Sequence, residues 1–235
     1  MRLHRFIGNF DLTKNAIEIL DRDLINQWKN VLRLSSGDKL ILCDGKLNEA
    51  QVIIDQINKD SVMLEIEKLY ENESEPTVLI NLYAAILKHD NFEFLVRDAT
   101  GAGMSKLMPI ISARTIKTNV NEKRINIIAK EAAEQSGRGI VPEISEKMPY
   151  EKALEDSKNN DINIIFDPEG MDLKDVELNN RKKIGIFIGP EGGWAKDELE
   201  NAKKHGVLSV NLGKLILRGE AAAITAVWAI NQRVQ

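Results

Sequence analysis

Two glycine-containing segments near the C-terminus have the residue types and spacing of a small-molecule site. The first is apolar from Ile184 to Ile188 and then enters the loop Gly-Pro-Glu-Gly-Gly at residues 189–193. The second, NLGKLILRGEAAA at residues 211–223, also opens into a loop after an apolar stretch. Because glycine has no Cβ, the backbone N–H and C=O groups of such loops can approach a ligand closely. The chemistry they favour is the binding of a polar small molecule by backbone groups.

The spacing of these glycines also excludes two common phosphate-binding motifs. Neither loop contains G-x-G-x-x-G, and neither contains G-x-x-x-x-G-K-[ST]. The first loop lies between an apolar run and a polar helix that begins near Ala195, which is the order strand, loop, helix. In an open α/β sheet, ligands bind at the carboxyl ends of the strands. The sequence therefore predicts a site at a sheet edge for a ligand other than a dinucleotide.

The elements that position these loops alternate between strand and helix after Pro76. Buried strands are predicted at TVLINLYAAIL, MPIIS, INIIF, KIGIFI and VLSVNL. Helices are predicted over about 91–101, 122–136, a stretch after Pro149, 196–204 and from about 219 onward. Such alternation is typical of an α/β fold with a largely parallel sheet covered on both faces.

The first 75 residues have a different pattern, of short strands with one helix. Strands are predicted at HRFIG, AIEIL, KLILCDG, EAQVIIDQI and SVMLEIEKL, with a hairpin turn at Asp44-Gly45. A helix is predicted from about Arg22 to Leu34, with Trp28 in its apolar stripe as a core residue. The polar, acidic stretch YENESEPT contains Pro76, which marks a boundary. We therefore expect two domains, 1–75 and 76–235.

Composition narrows the class of protein. A chain of 235 residues with 43% hydrophobic residues has enough apolar side chains for a real core. No apolar run approaches the roughly 18 residues of a membrane helix, and the first residues lack the apolar core of a signal peptide, so a cytoplasmic protein without a membrane partner is expected. The single cysteine, Cys43, excludes an internal disulfide, and three scattered histidines give no sign of a metal site.

The charge is unevenly distributed along the chain. A net charge of −4 argues against a protein that coats nucleic acid indiscriminately. Between Gly103 and Lys130, however, six basic residues face a single acid, Glu122. Projection of the helix over 122–136 places Arg124, Glu131 and Gln135 on one polar face, which Arg138 joins if the helix continues through Gly137. This pattern predicts a cleft lining, and the alternative is an ordinary solvated face.

In their order and position, GPEGGW and LGKLILRGEAAA resemble the signatures of the RsmE-type methyltransferases, which belong to the SPOUT class of knotted RNA methyltransferases that use S-adenosylmethionine. The start HRF and the segments NVLRLSSGD, MPIISART and AKEAAEQSGR are similar to landmarks of the same family, so that the resemblance spans nearly the whole chain.

The resemblance implies a PUA-like β-barrel for RNA docking at the N-terminus and a SPOUT α/β domain with a trefoil knot at the C-terminus, in a homodimer. It also implies the reaction, which is methylation of N3 of a uridine in small-subunit (16S) ribosomal RNA, with S-adenosyl-L-methionine as the methyl donor. The implied partner is ribosomal RNA or the small ribosomal subunit.

The resemblance implies a cofactor site built from three loops. Its expected residues are Phe166, Ile188, Gly189, Glu191, Gly192, Gly193, Leu212, Gly213 and Leu217. Since N3 of uracil carries a proton at neutral pH, transfer requires removal of that proton or stabilisation of the imide anion. Arg218 is the candidate to pair with a uracil oxygen or a phosphate, and Glu220 is the candidate to act as base or to hold Arg218. The alternative for both is an ion pair at the start of the last helix.

Contacts with RNA are expected to be mostly contacts with phosphates, which set the position of the substrate. The main expected residues are Arg114, Lys117, Arg124 and Arg138, and further ones are Arg5, Arg33 and Lys88.

The chain departs from the family pattern at a few positions. Leu215 stands where the last motif commonly has arginine, Gly219 follows Arg218, Ala221 replaces a threonine, and Gly101 replaces a usual glutamate. These departures leave three alternatives open: an RNA-binding SPOUT protein without turnover, a methyltransferase with a different RNA target, and an unrelated α/β enzyme that binds a nucleotide at GPEGG.

Overall fold

The computed structural model describes residues 3–234, which form two compact units. The first unit extends to Glu75 and also includes Ala133–Val141, and the second contains Pro76–Ala132 and the chain from Pro142 onward. The segment 133–141, expected in the second domain, thus belongs to the first. Its Ala133 and Val141 pack with Ile7 and Cys43 in one apolar cluster, which explains this grouping.

The first unit is built on a five-stranded sheet with the order β1-β3-β4-β5-β2. Its strands are β1 (His4–Ile7), β2 (Ala16–Ile19), β3 (Lys39–Cys43), β4 (Asn48–Ile57) and β5 (Val62–Glu71). All pairs are antiparallel except β1 with β3. Burial alternates along β2 and in parts of β3 and β4, as expected for strands with one face on a core. The predicted strands of this unit are confirmed.

The helix of the first unit is shorter than predicted. Helix α1 (Arg22–Asn26) is capped by Asp21, whose carboxylate accepts from the backbone N–H groups of Asp23 and Leu24. It continues as a π-helical segment, Gln27–Val31, and Arg33 then adopts a left-handed φ of 56°, which ends the helix before Leu34. The Trp28 side chain is fully buried, so its predicted place in the core is confirmed.

The second unit contains a parallel sheet of seven strands, in which β12, β10, β11, β6, β7 and β8 are neighbours in that order and β9 pairs with β7. The strands are β6 (Leu79–Ala85), β7 (Lys106–Ile111), β8 (Glu143–Ile144), β9 (Met148–Pro149), β10 (Ile162–Asp172), β11 (Lys183–Ile188) and β12 (Leu208–Asn211). The central strand β11 is buried almost throughout, as its continuous apolar sequence predicts.

Five helices accompany this sheet, and the predicted helices are confirmed. They are α2 (Asn91–Gly101), α3 (Glu122–Ser136), α4 (Tyr150–Asp156), α5 (Lys196–Lys204) and α6 (Gly219–Val234). The core of the unit includes Tyr83, which stacks on Phe187 with 4.4 Å between ring centroids, while Tyr150 meets Phe187 edge-on. The predicted α/β architecture is therefore observed.

The parallel order brings the carboxyl ends of four neighbouring strands to one edge of the sheet. β12, β10, β11 and β6 are consecutive in the order and pair in parallel. The loops that follow Ile188 and Asn211 therefore leave the sheet at the same edge, as the sequence predicted. This edge is where a ligand is expected in an open α/β sheet.

Candidate active site

A cavity of about 550 Å³ lies at this edge of the second unit. It is lined by eight of the nine expected cofactor residues, namely Phe166, Ile188, Gly189, Glu191, Gly193, Leu212, Gly213 and Leu217. Arg218, Glu220 and Lys88 line it as well. The ninth residue, Gly192, is in the same loop but does not line the cavity, and its carbonyl accepts a hydrogen bond from Arg114 Nη1 at 2.8 Å.

The first wall of the cavity is the loop after β11, packed on the indole of Trp194. A Cβ added at Gly189 would lie 3.0 Å from Trp194 Cε2, so that only glycine fits without movement of the ring. Gly193 has a φ of +66°, a conformation that glycine adopts without strain. Trp194 is 8% exposed, and its Nε1–H donates to the carbonyl of Phe166 at 3.0 Å. The indole thus joins the loop after β11 to strand β10.

The second wall follows β12. Gly213 has a φ of +108°, and its N–H donates to the side chain of Asn211 at 2.9 Å, which forms the turn. Leu215 and Ile216 line the cavity, yet their side chains are 82% and 85% exposed. This segment therefore presents backbone and apolar side chains to the cavity while part of it remains open to solvent.

The third wall is an irregularity in β10. Phe166 and Met171 both pair with Val210 of β12, so residues 167–170 are extra on the β10 side. At Gly170 the backbones approach so closely that a Cβ would lie 2.4 Å from Val210 N. The bulge places Phe166, Asp167 and Pro168 on the cavity.

Arg218 and Glu220 flank the first residue of α6. A Cβ at Gly219 would lie 2.9 Å from Leu87 and 3.5 Å from the carbonyl oxygen of Gly189, so the start of α6 packs tightly against Leu87 and is in ordinary contact with the first wall. Arg218 is exposed, whereas Glu220 Oε2 is buried without a hydrogen-bond partner. Within residues 3–234, the two side chains form no ion pair with each other, so the simple structural alternative of a pair at the helix start is absent. A buried acceptor without a donor is costly, which makes a donor from a bound molecule a natural partner.

The turn between β6 and α2 forms the remaining side of the cavity. The backbone N–H of Lys88 donates to Glu191 Oε1 at 2.8 Å, and Lys117 Nζ donates to the carbonyl of His89 at 2.9 Å. His89 has a φ of 51°, which is unusual for a residue with a Cβ. The turn is therefore held by side chains from two other loops.

Sequence reasoning missed several lining residues. These are His89, Asn91, Asp167, Pro168, Pro190, Trp194, Leu215, Ile216, Gly219 and Ala222. Trp194 and Gly219 belong to the two glycine motifs, so closer attention to those motifs would have found them. No pattern in the sequence points to His89, because its place depends on the register of β6 beside β11.

Three expected RNA-binding residues of the second unit lie on one loop, between β7 and α3, and on helix α3. Arg114 and Lys117 hold the carbonyls of Gly192 and His89, both beside the cavity. Arg124 is exposed at the start of α3 and pairs with Glu93 at 2.7 Å. The hydrogen bond from Arg124 is the main cause that lowers the pKa of the Glu93 carboxyl, and the same bond raises the pKa of Arg124. In the first unit, Arg33 is exposed.

Two other expected RNA-binding residues are placed differently from the prediction. Gly137, with a φ of +90°, ends α3 at Ser136, so Arg138 does not continue the polar face of that helix. Arg138 is 4% exposed and pairs with Glu75 at 2.9 Å. Its predicted role as an exposed phosphate contact is wrong for this structure, because its charge is neutralised inside the first unit.

Arg5 is the second such correction. Its side chain is 14% exposed and is paired with the buried Glu49, and its Nη1 lies 3.1 Å from Cys43 Sγ. Burial raises the pKa of the Cys43 thiol to about 12, an effect that the positive charge of Arg5 partly opposes. Arg5 thus serves the interior of the first unit, and its prediction as a phosphate contact is contradicted.

Neither a metal-binding cluster nor a membrane-spanning helix is found in the described part of the chain. Among residues 3–234, no group of three or more histidine, cysteine, aspartate or glutamate side chains is arranged to hold a metal ion. No helix in the same range is long and apolar enough to cross a membrane.

Both units of this chain are similar to known protein families. A family model described as an RNA methyltransferase domain matches residues 73–231, and one described as an RNA methyltransferase PUA domain matches residues 29–67. A ribosomal RNA small subunit methyltransferase E from Rickettsia conorii is 31% identical over 97% of this chain and 94% of its own length. A protein of the same name from Mesomycoplasma hyopneumoniae is 35% identical over 68% of this chain and 71% of its own.

A solved structure shares the fold over almost its whole length. It is a ribosomal RNA small subunit methyltransferase E from Neisseria gonorrhoeae bound to S-adenosyl methionine, with a TM-score of 0.90, 27% identity, and coverage of 99% of this chain and 98% of that one. Together with the family models and the relatives, this similarity confirms the resemblance that the two glycine motifs carry. This chain belongs to the RsmE-type family of RNA methyltransferases.

Proposed function

We propose that this protein transfers a methyl group from S-adenosylmethionine to N3 of a uridine in small-subunit ribosomal RNA. The observation that carries the proposal is the cavity where the loops after β11 and β12 meet, with Arg218 and Glu220 on its lining. The chain that forms this cavity has the fold of a relative whose structure was solved with S-adenosyl methionine bound.

The residues of the cavity fit this cofactor. A volume of about 550 Å³ lies within the range of about 300–1,000 Å³ that is usual for small-molecule sites. Ile188, Leu212 and Leu217 supply apolar surface for an adenosine, and at Gly213 nothing lies within 4 Å of the position that a Cβ would take, so a ligand can approach the backbone there. The unpartnered Oε2 of Glu220 is an acceptor that a polar ligand can satisfy. When bound, the cofactor supplies an electrophilic methyl group on a sulfonium.

Arg218 stabilises the negative charge that develops on the uracil as N3 loses its proton. The guanidinium remains charged at neutral pH and donates two hydrogen bonds in one plane, which suits a uracil oxygen. Stabilisation of charge at the place where it develops is commonly the largest single contribution to catalysis. Glu220, whose carboxylate is partly buried at the first turn of α6, supplies the negative charge that holds Arg218 when substrate is present.

Exposed and half-buried basic residues hold the RNA by its phosphates. The proposed contacts are Lys88, Arg114, Lys117 and Arg124 in the second unit and Arg33 in the first. Phosphate contacts make affinity depend on salt, with a slope of about −0.7 per contact for single strands. Affinity for a ribosomal RNA fragment is therefore expected to fall steeply between 50 and 200 mM salt. A flat salt dependence would contradict these phosphate contacts.

A second copy of the chain is proposed as a partner. Leu215, Ile216 and Trp228 are exposed by 82%, 85% and 57%, and burial of such large apolar side chains against a second copy would remove them from water. Sedimentation should give a dimer, and Trp228→Glu should shift it toward monomer. The knotted backbone of the SPOUT class and a cytoplasmic location, where ribosomal RNA is available, belong to the same proposal.

The proposed function is tested by methyl transfer in vitro. Small subunits and free ribosomal RNA from cells that lack this protein are incubated with it and with S-adenosylmethionine labelled in the methyl group. Label at N3 of one uridine is the expected result, and its position is mapped by the block that the methyl group sets to base pairing. Binding of RNA with no label incorporated would instead identify a protein without turnover, and label in another RNA would identify a different target.

A further inference from the structure

The most unusual backbone conformation beside the cavity is that of His89. Its φ of 51° lies in the left-handed region, which is unfavourable for a residue with a Cβ. Among residues 3–234, it is the only non-glycine residue with a positive φ that lines the cavity. Strained conformations of this kind concentrate at functional sites, where the surrounding structure maintains them.

The surroundings of His89 do maintain it. On one side the N–H of Lys88 is held by Glu191 at 2.8 Å, and on the other the carbonyl of His89 is held by Lys117 at 2.9 Å. Asn91 N–H also donates to the carbonyl of Lys88 at 3.2 Å. The backbone of the turn is thus anchored to two loops of the same unit, and the direction of the His89 Cβ is fixed by these anchors.

The imidazole itself is exposed and has no hydrogen-bond or ion-pair partner within the described part of the chain. Its ring nitrogens are therefore available to a molecule in the cavity. Hydrogen bonds thus hold the backbone at His89, whereas the nitrogens of its imidazole form none within the described part of the chain.

The proposed reaction needs a proton acceptor for N3, and the candidates on the lining are the carboxylates of Asp167, Glu191 and Glu220 and the imidazole of His89. Arg218 is always protonated and has no acceptor atom. Glu191 Oε1 is engaged by the N–H of Lys88, and Glu220 Oε2 is shielded from solvent. Imidazole is the side chain whose ordinary pKa, about 6.5, lies nearest to neutrality, which makes it an efficient general base there.

We propose that His89 is the catalytic base that accepts the N3 proton of the target uracil; this rests on the function proposed above. The N3–H bond breaks and its proton moves to the unprotonated imidazole nitrogen. The electron pair left on N3 forms the new bond to the methyl carbon, while the electron pair of the carbon–sulfur bond remains on sulfur and neutralises it. The imidazolium then returns its proton to water.

The first test compares His89→Gly and His89→Asn with the unmodified protein. Glycine adopts the φ at residue 89 without strain, and asparagine tolerates it, so both variants retain the turn. The single-turnover rate with S-adenosylmethionine and a small-subunit RNA fragment is expected to fall by about 10²–10⁴-fold. The affinities of each variant for S-adenosylmethionine and for RNA are measured separately by calorimetry. Each is expected to stay within about threefold of the unmodified protein, which corresponds to less than about 1 kcal/mol of binding free energy. Asp90→Asn, next in the chain and outside the cavity lining, is the matched control with an unchanged rate.

Chemical rescue separates a lost base from a lost shape. Added imidazole is expected to restore the rate of His89→Gly by about tenfold or more, which is a part of the general-base contribution. RNA with 5-fluorouridine at the target should also restore it, because fluorine makes the N3 proton more acidic. Imidazole should not restore Arg218→Ala, whose defect is a missing positive charge.

Three results would overturn the proposal. The first is an unchanged rate in His89→Gly, and the second is a loss that neither imidazole nor 5-fluorouridine restores. The third is the same loss and rescue in Asp167→Asn, a substitution of one of the three carboxylates on the lining, with His89→Gly unaffected. Each of these leaves the unmodified protein active, so the proposed function survives. An unmodified protein that methylates no RNA would remove the function and the base together.

Discussion

Glu191 and Lys88 are 103 positions apart in the sequence, yet the carboxylate Oε1 of Glu191 accepts the backbone N–H of Lys88 at 2.8 Å. This hydrogen bond joins the loop after β11 to the turn after β6 at the mouth of the cavity. Glu191, which was expected to contact the cofactor, thus also holds the backbone of the turn after β6 on another side of the cavity.

Glu191→Ala removes this acceptor, and we expect it to lower the single-turnover methylation rate by about 2–10-fold. The reason is that a hydrogen bond of this kind contributes about 0.5–1.5 kcal/mol, and its loss frees the turn that carries Lys88 and His89. Glu191→Gln keeps an acceptor oxygen and should stay within about twofold of the unmodified rate, by the same estimate. If glutamine were as harmful as alanine, the charge of Glu191 and not its hydrogen bond would be what matters.

Gly189→Ala is expected to weaken the binding of S-adenosylmethionine by about 5–100-fold, since overpacking costs about 1–3 kcal/mol. The added Cβ would lie 3.0 Å from Trp194 Cε2 and forces the indole away from the Phe166 carbonyl. Gly192→Ala is the matched control in the same loop, because its Cβ would meet Arg114 only at an ordinary 3.5 Å. Calorimetry with the two variants makes the comparison, and equal affinities would contradict the packing argument.

The place of the site could be predicted because it depends on local sequence and on one general rule. The apolar runs before Gly189 and Leu212 predict strands, and parallel strands end at a common edge. The glycines could be identified as close-approach positions from type alone, and the structure shows the contact at Gly189 that requires one. Fold class and the edge of the sheet that carries the site therefore followed from local patterns, whereas the residues of the three walls were expected from the family resemblance.

What could not be predicted depends on single backbone angles and on distant pairings. Helical projection places Arg138 on the polar face of Arg124 and Gln135 if the helix continues through Gly137. Gly137 instead adopts a φ of +90°, and the helix ends before it. Helical projection assumes uniform geometry and contains no information about such a break. His89 was missed for a related reason, since its neighbours come from loops far away in sequence.

Arg218→Ala is expected to lower the methylation rate by about 10²–10³-fold, the range seen when one donor to a developing negative charge is removed. Affinity for S-adenosylmethionine should change by less than about threefold, because the guanidinium acts on the uracil and not on the cofactor. Lys214→Ala removes a positive charge from the same segment outside the cavity lining and serves as the control. A variant at Arg218 with an unchanged rate would remove this residue from the mechanism.

Arg138→Met tests the correction to the RNA-binding residues. Arg138 is 4% exposed, and its partner Glu75 also accepts the N–H groups of Gly139 and Ile140. Removal of one member of a buried pair costs about 3–5 kcal/mol, so hydrogen exchange in the first unit should become much faster. Arg124→Met, which removes an exposed charge, should change stability by less than about 1 kcal/mol. If Arg138→Met left exchange unchanged and weakened RNA binding alone, the ion pair with Glu75 would not be its main role.

Because the thiol of Cys43 is buried, we expect the stability of the first unit to depend on pH in the alkaline range. Burial raises the pKa of its thiol from 9.0 to about 12, and burial likewise raises the pKa of Tyr83 and Tyr150 in the second unit. A group whose pKa is higher in the folded state stabilises the fold fully below its unfolded pKa and loses that contribution as pH rises through the folded value. The free energy of unfolding should therefore fall as pH rises from 9 toward about 12. Cys43→Ala should make this decline shallower in the first unit.

The same burial predicts the reactivity of the thiol at milder pH. At pH 8 a pKa of about 12 leaves about one thiol in 10⁴ ionised, against about one in ten at the unfolded value of 9.0. Because the thiolate is the reactive form, a disulfide reagent should label the native protein very slowly and the urea-unfolded protein rapidly. Equal labelling rates in the two states would show that Cys43 is open to solvent and that its contact with Arg5 does not persist in solution.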